Sequence, residues 1–181
     1  ADPLENYDIS IENIRKKINK NTKAIIINSP NNPGGFIYTR EKLQELSKLL
    51  REKSQEFGHE IYIVSDEPYR ELVMVEDAEV PRIPNLYENT VVLYSYSKSL
   101  SLPGERLGYI LTPDSISNKE ELDDAIHGAA RAVGHFCAPT MIQMLVERCA
   151  DVKPDLSIYK ENRDLLYKEL TRIGFEVTNP Q

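Results

Sequence analysis

Hydrophobic residues in this chain fall into short unbroken runs separated by stretches in which they recur every three or four positions. The runs lie at 24–27, 61–64, 91–93 and 107–111. Such runs, bounded by turn formers, read as strands, and an uninterrupted run reads as a strand covered on both faces. Between them, Ser10 is placed to cap a helix with Ile11, Ile14 and Ile18 on one face, closed by residues 19–22. Thr39 is placed to cap a second, whose Leu43, Leu46, Leu49 and Leu50 form an apolar stripe ending at Phe57-Gly58. Residues 76–89, with Pro81 and Pro84, read as a surface excursion before the third strand.

Strand, helix, strand, excursion, strand predicts an α/β fold: a mostly parallel sheet flanked by helices. The run at 107–111 follows the third strand after only a short turn, so it is expected to pair antiparallel. Beyond Pro113 the pattern becomes helical, with helices at 120–133 and 140–150 divided by Pro139. A longer amphipathic helix at 156–173 ends at Gly174, and a strand is expected to begin at Phe175.

Composition narrows the class. Of 181 residues, 40% are hydrophobic and 28% charged, as in soluble globular proteins. No apolar run approaches the roughly 20 residues that cross a bilayer. No secretory leader opens the chain as it stands, so no membrane partner is expected. A net charge of −7 argues against a nucleic-acid surface. Cys137 and Cys149 form no Cys-x-x-Cys pattern, as in a reducing cytoplasm. His59, His127 and His135 share no ligand-like spacing, and no metal site is expected.

The candidate chemistry is concentrated at strand ends. Residues 94–109, Tyr-Ser-Tyr-Ser-Lys-Ser-Leu-Ser-Leu-Pro-Gly-Glu-Arg-Leu-Gly-Tyr, follow the third run. A lysine where a buried strand gives way to a loop is partly desolvated, which favours the neutral amine that condenses with an aldehyde. Ser95 and Ser97 would share one face of a period-two strand, and with Arg106 across the turn they could bind a phosphate. An aldehyde carrying a phosphate describes pyridoxal phosphate. Asp66 ends the second strand, where a carboxylate is costly unless a cation meets it. Taken singly, each residue has a plainer reading: Asp66 as a turn cap, Tyr69 as core, Asn32 as turn chemistry, Lys98 as a surface lysine.

Three motifs together carry a resemblance. Asn28-Ser-Pro-Asn-Asn32-Pro-Gly-Gly35, Ser65-Asp66-Glu67-Pro68-Tyr69 and Ser95-Tyr-Ser97-Lys98 followed by Pro103-Gly-Glu-Arg106-Leu-Gly-Tyr109 occur in that order, each at a strand end. The chain resembles the class I, fold-type I, pyridoxal phosphate-dependent aminotransferases, aspartate aminotransferase-like, over nearly its whole length. The resemblance implies the core of that family's large domain, truncated. Residues 1–150 would be a partial large, cofactor-binding domain, and 151–181 a connecting helix leading into an incomplete small domain. The family's enzymes run to about twice this length, so the chain reads as an excised piece.

The resemblance also implies roles. Asp66 would hold the pyridine nitrogen protonated. Asn32 and Tyr69 would donate to the ring oxygen. Ser95, Ser97 and Arg106 would bind the phosphate. Lys98 would carry the Schiff base and then move the substrate proton. Glu67 reads as a structural partner, and Arg131 falls on a helix near the family's dimer interface. Gly34, where the family often has threonine, should loosen its loop; Pro68 stands where a β-branched residue is common. Amino acid and 2-oxo acid substrates and a homodimer follow from the same resemblance. Lacking the upstream phosphate amides and stacking aromatic and the downstream carboxylate-binding arginine, the piece alone should be inactive. The alternatives are a carbon–sulfur lyase of the same fold, a non-catalytic cofactor-sensing domain of a transcription regulator, and a scaffold that has lost its cofactor.

Overall fold

The computed structural model describes residues 8–181. Both predicted caps form. Ser10 Oγ accepts the Asn13 N–H at 3.2 Å and starts α1 (Ile11–Lys17). Thr39 Oγ1 accepts the Lys42 N–H at 3.3 Å and starts α2 (Arg40–Phe57). Gly58 closes α2 at φ 70°, a left-handed conformation that glycine adopts without strain.

The strands are β1 (Ala24–Asn28), β2 (Tyr62–Asp66), β3 (Thr90–Ser95) and β4 (Gly108–Leu111), arranged in that order across one sheet. The first three run parallel, and β4 returns antiparallel on β3, as the short turn predicted. Helix α2 buries Leu43, Leu46, Leu49 and Leu50 in the cluster that holds Ile27, Ile61 and Ile63, so one sheet face carries the core.

The other face corrects one expectation. The unbroken run at 24–27 predicted a strand covered on both sides, but β1 is an edge strand and Ile26 is 75% exposed. Tyr109, Ile110 and Leu111 of β4 are exposed as well. The excursion at 76–89 is also less superficial than its prolines suggested. Ile83 and Tyr87 enter the core, and the Tyr87 hydroxyl donates to the Ile61 carbonyl at 2.6 Å.

The C-terminal half is α4 (Lys119–Ala132), α5 (Thr140–Arg148) and α6 (Ser157–Arg172), with no buried residue in α4 or α6. Gly174 follows α6 at φ 94°. The strand expected from Phe175 is absent, and the tail instead lies against the loop after β1. There the Gln181 N–H donates to the Gly35 carbonyl at 2.6 Å, and Gln181 Oε1 accepts the Ile37 N–H at 2.7 Å.

For function, the register matters most. Asn28 pairs with Asp66, Asp66 with Leu93, and Ser95 with Gly108. The carboxyl ends of three parallel strands therefore meet at one edge, where open α/β sheets bind ligands.

Candidate active site

At that edge Asn28 joins two motifs. Its amide Nδ2 donates to the Asp66 carbonyl at 3.0 Å and to Asp66 Oδ2 at 3.2 Å. Its Oδ1 accepts the Asn32 N–H at 2.9 Å. Asn32 Nδ2 in turn donates to the Tyr69 hydroxyl at 2.7 Å. Four polar side chains from two strand ends and the loops beyond them are thereby tied together. Tyr69 accepts from Asn32, which leaves the phenol proton for another acceptor.

Asp66 is half-buried. Burial, and after it the charge of Glu67, raises its carboxyl above the usual carboxylate range. No ion pair reaches it among the described residues. Glu67 points into the core side and is a structural partner, as its alternation with Asp66 implied. It is buried, accepting from Ser65 Oγ at 2.7 Å and from Arg70 Nε at 2.7 Å. Arg70 spends its other donors on the Val80 and Pro81 carbonyls, at 2.9 and 2.8 Å.

The loop after β1 is firmly bonded, against the expectation drawn from Gly34. Asn31 Oδ1 accepts the Gly34 N–H at 2.8 Å, the Asn31 N–H donates to the Phe36 carbonyl at 2.9 Å, and Ser29 Oγ accepts the Tyr38 N–H at 3.0 Å. A Cβ at Gly34 would sit 2.0 Å from the Phe36 ring, so that ring occupies the space a threonine would fill. Gly35 needs its φ of 67° and meets Pro180 within 2.6 Å of a would-be Cβ.

The lysine segment differs in its local form. Strand β3 ends at Ser95, and residues Tyr96–Ser99 make one helical turn, α3. Ser95 and Ser97 do come together, but as the cap of that turn and not by alternation along a strand. Ser95 Oγ accepts the Ser97 N–H at 3.2 Å and donates to Ser97 Oγ at 2.8 Å. Lys98 lies in α3, and the desolvation expected of it is not found: it is exposed, on a groove with Leu72, Leu100, Leu145, Cys149 and Tyr159.

Arg106 follows the turn at φ 54° and donates from Nη1 to the Pro103 carbonyl at 2.8 Å. The Tyr96 N–H bonds the Leu107 carbonyl at 3.1 Å, which continues the β3–β4 pairing past Gly108 and brings Arg106 alongside α3.

The predicted residues thus form two groups on one sheet edge: Asn32, Asp66 and Tyr69, and Ser95, Ser97, Lys98 and Arg106. Asp66, Leu93 and Ser95 share a sheet face by register and by period-two alternation. No hydrogen bond or ion pair joins Lys98 or Arg106 to the first group. Asn28, which bonds Asp66 directly, and Arg70, which pairs with Glu67, were given no role from the sequence. Asn28 could have been found as the strand-end polar residue opposite Asp66; Arg70 carries no signal in the sequence beyond its place beside Tyr69.

The profile of the family described as Aminotransferase class I and II matches residues 1–181. An aspartate aminotransferase of Bacillus sp. is 34% identical over 188 residues, covering 98% of this chain and 44% of that protein. One from Pyrococcus horikoshii is 37% identical over 170 residues, covering 92% and 41%. Among solved structures, an amino transferase of Eubacterium rectale superposes with TM-score 0.93 at 49% identity, over 97% of this chain and 44% of that one. An aspartate aminotransferase of Thermotoga maritima gives 0.78 at 28%, over 97% and 44%. The chain therefore spans under half the length of these relatives.

Proposed function

This chain belongs to the class I and II aminotransferase family, and from that premise we propose that the protein it represents moves an amino group between an amino acid and a 2-oxo acid. Members of the family use pyridoxal 5′-phosphate. The donor set fits that group. A half-buried carboxylate with a raised pKa and no cationic partner suits a protonated ring nitrogen, which would supply the missing charge. When bound, the cofactor serves as an electron sink that makes the substrate α-hydrogen acidic.

The residues of this chain do the rest. Asp66 would hold the proton on the ring nitrogen, and Asn28 holds Asp66 in place. Asn32 and Tyr69 would donate to the ring oxygen. Ser95, Ser97 and Arg106 would bind the phosphate, with the serine hydroxyls already adjacent at 2.8 Å. Lys98 Nζ would hold the cofactor covalently until substrate displaces it, and the freed amine would then carry the proton away from the substrate α-carbon, the shift on which transamination depends. The observation that carries this reading is the bonded set of Asn28, Asn32, Asp66 and Tyr69 at the carboxyl edge of the parallel strands.

On this reading residues 1–150 are part of a large domain and 151–181 lead toward a small one. The working unit is a cytoplasmic homodimer; both cysteines are free, and among the described residues no helix is long and apolar enough to cross a membrane. The test is borohydride reduction of the full-length protein with pyridoxal phosphate, followed by peptide mapping. The modified lysine should be Lys98; label elsewhere, or none, overturns the proposal.

A further inference from the structure

No hydrogen bond or ion pair links Lys98 or Arg106 to Asn32, Asp66 or Tyr69, yet one tyrosine bonds a sequence neighbour of each group. The Tyr94 phenol lies on β3 and donates to Glu71 Oε2 at 2.7 Å. Ser99 Oγ is 2.8 Å from the Tyr94 phenol oxygen and, with the phenol proton already given to the carboxylate, is the donor there. Glu71 stands two residues beyond Tyr69. Ser99 is buried and stands next to Lys98 on α3. The ring is held from the sides as well. It stacks on Tyr109 of β4 with centroids 4.9 Å apart and meets Tyr96 edge-on at 5.2 Å.

We infer that Glu71, Tyr94 and Ser99 form a positioning bridge that fixes the lysine turn against the loop carrying Tyr69. The inference deepens the aminotransferase reading and rests on it for the role of Lys98. The physical case is one of leverage. Helix α3 has four residues and cannot hold itself, since a single turn is below the length at which a helix persists. Its N-terminal end is fixed by the Ser95 cap; its C-terminal end depends on Ser99. Burial holds the Tyr94 phenol far above its ordinary range, so the hydroxyl remains a protonated donor throughout the working pH range. A phenol given to a carboxylate is among the stronger neutral-to-charged hydrogen bonds. Glu71 and Ser99, joined through Tyr94, thus set the distance between the two halves of the site.

The test uses full-length protein without cofactor, read by amide hydrogen exchange, with Tyr94→Phe and Ser99→Ala as the variants. Tyr94→Phe keeps the stack on Tyr109 and removes both hydrogen bonds. Exchange at residues 98–101 should quicken about tenfold or more, as expected for losing a pair of such bonds, while amides 46–50 of α2 stay unchanged. Glu71→Gln keeps an acceptor for the Tyr94 phenol and should by itself retain near-normal protection. Pyridoxal phosphate should dissociate faster from Tyr94→Phe and Ser99→Ala. Unchanged exchange at 98–101 overturns the inference, and so does an equal rise across α2, which would mean general loosening. Should Tyr94→Phe fail to fold, Ser99→Ala decides by the same readings. Because the exchange is measured without cofactor, it stands apart from the borohydride result, which alone judges the aminotransferase reading.

Discussion

Asp66 is the residue on which most depends, and its burial makes it testable apart from catalysis. Desolvation, then Glu67, raises its carboxyl above the ordinary value, so the folded chain keeps that proton to higher pH than the unfolded one. Stability contributed by Asp66 is therefore greatest below the unfolded value of about 3.9 and falls as pH rises toward the folded value. Above both, the ionised carboxylate is a cost that cofactor-free protein carries. Asp66→Asn removes that cost and still lets the side chain accept from Asn28. Its melting temperature should match or slightly exceed wild type at neutral pH, with the gap reversing or closing in acid. Turnover of the full-length variant should fall by roughly a hundredfold or more, the rate equivalent of losing about 3 kcal/mol of ion pairing at the ring. A variant with wild-type turnover would remove Asp66 from the site. At this scale the sequence was a good guide to residue type and a poor one to hydrogen-bond partners. Asn32, Asp66 and Tyr69, each with a plainer reading when taken singly, were singled out by three motifs taken together, and the structure brings their side chains to one sheet edge. Asn28 was not, because its role arises from a register that places it opposite Asp66, 38 residues away.

The elements were legible wherever one signal ruled. Thr39 and Ser10 cap the helices expected of them, and Gly58 stops α2. The misses come where two signals compete. The serine that ends β3 can either continue a strand or cap a turn, and capping won because Ser97 follows with an amide in reach. The prolines of residues 76–89 signal a loop, yet Ile83 and Tyr87 outweigh them by burial. That excursion also carries a prediction. Arg70 pins it through the Val80 and Pro81 carbonyls and is the partner of buried Glu67. Arg70→Leu leaves a carboxylate buried without its cation and should lower stability by about 3–5 kcal/mol, read as a reduced urea midpoint. Adding Glu67→Leu in the same chain should recover part of the loss, since the penalty belongs to the unpaired charge. Equal stability in both variants would show that the pair is not the anchor.

At the scale of the molecule, the sheet is covered on one face and largely open at its edges on the other. Ile26, Ile110, Phe136 and Met141 are all at least half exposed, and Ile26, Phe136 and Met141 each reach 75%. Tyr109, Ile110 and Leu111 are exposed in succession along β4, exposed apolar patches ordinarily meet another surface, and this chain spans 41–44% of the aspartate aminotransferases it resembles. The unbroken apolar run of β1 is then informative in a way its local structure is not: it describes a strand suited to cover on both sides, though the described residues supply one. The 181 residues by themselves should therefore show no measurable transaminase turnover and only weak binding of pyridoxal phosphate. They should bind a hydrophobic dye strongly and associate as concentration rises. The full-length protein should bind little dye and sediment as a discrete dimer, and its spectrum should show bound cofactor. Sedimentation, dye fluorescence and a coupled transaminase assay on both chains decide the matter. Turnover from the 181-residue chain would mean that the open edge already holds a complete site, and the exposed face of β1 would then need a different explanation.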